Sequence, residues 1–122
     1  MPDVDLPQIV AKQSWLAQSA ALAATTIFTP TADGLFRVSA YIEVSVGSNR
    51  GPSAQMTWTD DHAAQNNSGL IGGVDTAGNW TINGNYATRA FRATNGNPIK
   101  IATTINAGSG TYDLYVVIEQ LW

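Results

Sequence analysis

The sequence predicts an all-β fold, namely an antiparallel sandwich, barrel or jelly roll of about eight to ten short strands. Three observations lead there. Residues 34–47 alternate for their whole length, with Phe36, Val38, Ala40, Ile42, Val44 and Val46 on one side. Arg37, Ser39, Glu43 and Ser45 take the other side, together with Leu35 and Tyr41. A period of two over such a length is a half-buried strand, because a helix would scatter these apolar residues around its circumference. Charged residues make up 12% of the chain, about half the usual share, and Gly, Ala, Ser, Thr and Asn fill the gap, as suits strands and turns. Finally, Gly-, Pro- and Asn-rich turn signals recur along the chain, and no convincing helix lies between them.

The elements follow in order. Residues 1–8, with Pro2 and Pro7, read as an extended arm, because proline fixes φ and removes a donor. Residues 9–122 read as a single domain, which the length of 122 residues suits. Within residues 9–18, Ile9, Ala11 and Trp15 share a parity, so the segment reads as a strand. Residues 14–24 are Ala-rich and favour helix by propensity; strand is the reading taken, because context overrides propensity. Residues 25–29 are β-branched and aromatic and end at Pro30. Residues 31–34 form a turn, with Gly34 available for a positive φ. After the central strand, residues 47–53 are a loop.

Residues 54–59 alternate, with Met56 and Trp58 on one face, and end at Asp60, Asp61 and His62. Residues 63–79 are polar and glycine-rich, with Leu70, Ile71 and Val74 as one short strand candidate. Residues 80–82 are another, and residues 83–85 read as a turn. Residues 86–93 form a strand anchored by Phe91, and residues 94–98 a turn. Residues 99–105 alternate and bury Ile99, Ile101 and Ile105, and residues 106–110 are a loop. The final segment carries Tyr112, Leu114, Val116 and Ile118 on one face and Tyr115, Val117 and Leu121 on the other. A strand apolar on both faces is covered twice, so its second cover is another sheet or another subunit.

Composition excludes several roles. The net charge is −3 and no basic stripe occurs, which argues against phosphate-led nucleic-acid binding. No membrane-length apolar run or cationic amphipathic segment is present. With no cysteine, disulfides, thiolate zinc sites and cysteine nucleophiles drop out. The start lacks a positive region followed by an apolar run, so synthesis in a cytoplasm is expected.

The one concentrated ionisable cluster is Asp60, Asp61 and His62. With Asp75 it offers carboxylates of the kind a hard cation takes. The reading preferred is a turn-forming Asp pair at a solvated strand end, with no metal and no cofactor. His62 is the sole histidine, and no Gly-x-Ser-x-Gly elbow accompanies it, so no catalytic residue is assigned and no enzyme is expected. Gly72-Gly73 and Gly108-Ser109-Gly110 lack the lysine ending of a phosphate loop. Trp15, Trp58, Trp80 and Trp122 read as core or interface anchors. Trp80, in a polar loop, is the best candidate for a ligand platform, with Trp58 as the second choice. Arg37, Arg89 and Arg92 lie on strands, where they can pair with Glu43 or Glu119.

The phrase from Ile27 to Tyr41, with Phe28, Pro30, Gly34 and Phe36 at its marked positions, resembles the start of the complement-type globular head. That family belongs with the tumour-necrosis-factor-like jelly rolls. Residues 89–105 and the stretch from Tyr112 to Gln120 resemble its closing strands. The phrasing around Ala32 to Ser39 and around Tyr112 to Leu121 is also similar to small structural proteins of tailed bacteriophages. The resemblance implies a jelly roll that assembles as a homotrimer; the closing strand, apolar on both faces, then puts Tyr115, Val117, Leu121 and Trp122 at its seam. It further implies a virion location and a decoration (cement) role on a phage head, beside the major capsid protein or another virion protein. The arm, through Pro2, Val4, Leu6 and Pro7, would reach that neighbour. The alternative is a receptor-binding or lectin-like fibre head, using the polar loops at 47–53, 63–79 and 106–110.

Overall fold

A computed structural model describes residues 6–48, 52–71, 84–105 and 109–122. They form eight strands: β1 (Gln8–Gln18), β2 (Thr25–Phe28), β3 (Gly34–Ser48), β4 (Pro52–Thr59), β5 (Ala64–Ile71), β6 (Gly84–Ala93), β7 (Ile99–Ile105) and β8 (Ser109–Gln120). They make two four-stranded antiparallel sheets, in the orders β1-β8-β3-β6 and β2-β7-β4-β5. The pairing is nested: the first strand lies beside the last, the second beside the seventh, the third beside the sixth, and the fourth beside the fifth. Two further ladders, β3 with β8 and β4 with β7, join these pairs into sheets.

The alternating positions of the central strand become the core. Phe36, Val38, Ala40, Ile42 and Val44 of β3 are buried beside Tyr112, Leu114, Val116 and Ile118 of β8. Ala54, Met56 and Trp58 of β4, Leu70 of β5, and Ile99 and Ile101 of β7 complete the buried cluster. Each such large side chain contributes about 1.5–3 kcal/mol on burial. Phe36 centres an aromatic group, 5.9 Å from Phe28 and 5.9 Å from Phe91, and Trp58 closes it at 5.3 Å from Phe91.

Several expectations change. The strand reading of residues 14–24 holds as far as Gln18, where β1 ends, and fails beyond it, since residues 19–24 have no regular secondary structure. Ile9 does not share a face with Ala11 and Trp15. The register slips between Ile9 and Ala11, so Ile9 lies opposite Glu119 and Ala11 opposite Ile118. That bulge turns Ile9 to solvent. The stretch read as mostly loop after His62 carries the whole of β5. Gly84 and Asn85, read as turn residues, open β6. The candidates at Val74 and at residues 80–82 lie outside the described residues. Gly34 is absent from the positive-φ glycines of the described residues. It is required for another reason: a Cβ there would stand 2.7 Å from the Trp122 carbonyl oxygen.

On β7 the third inward place belongs to Thr103, which is buried, and Ile105 only packs partly against the core. Burying a hydroxyl costs free energy unless it is hydrogen-bonded. The Thr103 and Tyr112 hydroxyls lie 2.7 Å apart. Tyr112 Oη donates to the Ala20 carbonyl at 2.8 Å, and the Leu22 amide donates to Thr103 Oγ1 at 2.7 Å. This network ties the crossover at residues 19–24 to both sheets. Burial pushes the Tyr112 phenol above its ordinary pKa, and its hydrogen bonds offset part of that rise.

Two outcomes are expected. Gly34→Ala should cost about 1–3 kcal/mol, read as a lower urea midpoint with unchanged slope. The raised Tyr112 pKa favours the neutral phenol in the folded state, so its stabilisation is whole below pH 10.0, the unperturbed value, and is lost as pH climbs above it. Tyr112→Phe should cost about 1–2 kcal/mol at neutral pH and shrink that alkaline loss, as measured by denaturation at a series of pH values.

Candidate functional site: an aromatic face on the first sheet

Register brings together side chains that are far apart in the sequence. Tyr41 of β3 pairs with Tyr86 of β6 and with Tyr115 of β8, and Ser14 of β1 follows Tyr115. The result is a row of three tyrosines across the outer face of the first sheet. They are 39%, 76% and 41% exposed, in the order Tyr41, Tyr86, Tyr115. The Tyr41 and Tyr115 rings lie 6.3 Å apart and tilted, within the range for favourable aromatic pairs. The next row is Thr88, Ser39, Val117 and Lys12. Together the two rows line a shallow depression from Ser39 to Val117, and a second depression continues over Lys12, Gln13 and Ser14.

Charges rim this band on both sides. Beyond the Val117 row, Arg37 lies opposite Glu119 and forms an ion pair with it at 3.0 Å. Beyond the tyrosine row, Glu43 lies opposite Asp113. The Asp113 carboxylate accepts the Ala17 amide at 2.7 Å and so holds Ala17 in a left-handed conformation, φ 52°. An apolar band with a charged rim has the anatomy of a protein–protein contact.

The residues expected at a subunit seam therefore divide. Tyr115 and Val117 sit in the band. Leu121 and Trp122 lie at the far end of the strand, where the Leu121 and Trp122 amides donate to the Leu35 carbonyl. Trp122 is 74% exposed, with the Arg92 guanidinium 6.0 Å from its ring. Leu6 and Pro7 of the arm are exposed just ahead of β1, while Pro2 and Val4 lie outside the described residues, as do Trp80 and Asp75. Trp58, the second choice of platform, is 8% exposed and belongs to the core, so its ring is not open to a ligand. Arg89 lies over that ring at 5.7 Å rather than pairing with an acid. Sequence reasoning misses Tyr41, Tyr86, Thr88 and Lys12 as members of one face. The odd parity of Tyr41 within the central strand was the available signal, but the row exists only once three strands are set in register.

The Asp60–Asp61 pair is engaged locally. Asp60 Oδ1 accepts the His62 and Ala63 amides at 2.8 and 3.0 Å, closing the turn between β4 and β5. Asp61 accepts from Arg92 Nε at 2.6 Å, and Asp33 stands 3.9 Å from the same guanidinium. Among the described residues, no three His, Cys, Asp or Glu side chains gather as a metal cluster.

No family model matches the chain, and no curated protein does. Among solved structures, a chain from the acidic stable capsid of Helicobacter pylori bacteriophage KHP30 shares 16% identity. That alignment covers 95% of this chain and 94% of the other, with a TM-score of 0.42. A chain from Bacillus endospore appendages, a novel family of disulfide-linked pili, also shares 16% identity. It covers 95% of this chain and 87% of the other, with a TM-score of 0.34. At these scores neither likeness carries an argument.

The hydrogen bonds from the Ala63 and His62 amides hold the Asp60 carboxyl below its ordinary pKa. Its turn-closing contribution is therefore present above pH 3.8, the unperturbed value, and is lost as pH falls through the lowered one. Carboxyl-detected NMR titration should place the Asp60 midpoint below 3.8, and the His62 and Ala63 amide shifts should move with it.

Proposed function

We propose that this chain is a non-enzymatic structural protein of a tailed-bacteriophage virion, a homotrimeric jelly roll that decorates and cements the head. The observation that carries the reading is the exposed tyrosine row with Val117 beside it, set inside a charged rim. Three rings in one line, backed by a rigid sheet, offer apolar area at little entropic cost, which suits assembly. The nested strand order supports the jelly-roll assignment, since folding one long hairpin back over itself yields two Greek keys. The likeness of the Ala32–Ser39 and Tyr112–Leu121 phrases to small phage structural proteins supports the virion setting.

In this reading Tyr115 and Val117 lie at the trimer seam, and Leu121 and Trp122 extend it at one end. The arm, of which Leu6 and Pro7 are exposed, is assigned the contact with the major capsid protein or another virion protein. A single arm binds weakly. Three arms on one trimer raise the effective concentration at the lattice and hold it there.

Light scattering at micromolar concentration should return the mass of three chains. Val117→Asp should return one chain with an unchanged circular dichroism spectrum, because the side chain lies on the outer face and not in the core. A single-chain mass for the unaltered protein removes the trimer. Cryo-electron microscopy of an intact particle should then place the protein on three-fold positions of the head.

A further inference from the structure

Building on the trimer proposed above, we infer that each seam is locked by an ion pair between Lys12 of one copy and the Glu43–Asp113 pair of the next. The inference starts from charge left over within one chain. Glu43 and Asp113 stand directly opposite each other on β3 and β8, and like charges at that spacing destabilise a sheet. Asp113 has the Ala17 amide. Glu43 is exposed, with no cation beside it among the described residues.

The chain has six Lys and Arg residues, and most are committed elsewhere. Arg37 holds Glu119, Arg92 holds Asp61, and Arg89 covers Trp58. Lys100 belongs to the other sheet, between Thr26 and Thr57. Arg50 lies outside the described residues. Lys12 remains. It is exposed on β1, opposite Val117 and next to the apolar band, with no acid paired to it among the described residues. It cannot reach the acidic pair of its own chain, because Val117 and Asp113 are roughly 13 Å apart along the strand.

A closed ring needs two different patches on every chain, so that each copy gives one and receives the other. This face supplies both. The acidic pair borders the tyrosine row on β3 and β8, and the free cation borders the same band on β1, the sheet's edge strand. A carboxylate pair covered by a neighbour and left without a cation would oppose association, since desolvated charge is costly. A lysine brought by that neighbour removes the penalty, and it also fixes which way round the copies meet.

The test uses the full chain in a charge-reversal cycle, with mass read by light scattering and fold by circular dichroism. Lys12→Glu and Glu43→Lys should each raise the concentration at which trimers dissociate, by about tenfold or more. The double variant, with both changes, should restore assembly. Added salt should weaken the unaltered trimer. A Lys12→Glu trimer as stable as the original overturns the pairing. Dissociation that the double variant does not repair also overturns it, because Lys12 then answers to some other group. Both results leave the trimer standing, whereas a single-chain mass for the unaltered protein removes the trimer itself and this pairing with it.

Discussion

The ladder between β3 and β8 governs both faces of the first sheet at once. Its twelve Cα partners, from Phe36 with Gln120 to Ser48 with Ser109, decide which side chains share a row. On the inner side that register stacks Val38 on Ile118 and Ile42 on Leu114, all fully buried. On the outer side the same register sets Tyr41 beside Tyr115 and Glu43 beside Asp113. A slip of one residue would turn every one of these side chains to the opposite face. Interior packing therefore locks the surface pattern: the core cannot be satisfied in this register without the aromatic row being presented outside.

The protection of the sheet edges points the same way. β6 ends the first sheet, and Arg89 on it lies in the inward parity of Phe91 and yet is exposed, over the Trp58 ring. An inward-pointing charge at an edge discourages another strand from adding there. β1 ends the same sheet and is broken by bulges near both ends of its pairing with β8, which has the same effect. Both margins are thus guarded against ladder extension while the outer face between them stays open. Contact through side chains on that face is what this arrangement permits.

Much of this was legible in the sequence, and what was not has a physical cause. Strict alternation named Phe36 to Val44 and Tyr112 to Ile118 as inward, because burial imposes that period. Turn-forming residues located the C-terminal ends of β4 at Thr59 and β6 at Ala93, because they supply backbone conformations and local hydrogen bonds that a ladder cannot continue. Long-range geometry was invisible to local pattern. Gly34 read as a turn glycine, but its lack of a side chain answers to the Trp122 carbonyl arriving from the far end of the chain. Ile9 was assigned by parity, and a single bulged residue reversed it. Alternation already pairs Trp58 with Met56 on one face, and both are buried; that leaves no room for the second reading of Trp58 as a ligand platform. The tyrosine row needed three strands from separate parts of the chain, and no window along the sequence contains it.

The nested order of the strands has a consequence for biosynthesis. β1 leaves the ribosome among the first elements, but its ladder partner β8 is the last to be made. Few of the pairings join neighbours in sequence, and such distant closures make folding slow. An elongating chain therefore carries β1, and one side of β3, unpaired until β8 emerges. Only then do the outer rows come into line, so association competence arrives as a late, all-at-once event, and fragments from interrupted translation lack the surface needed to join an assembly.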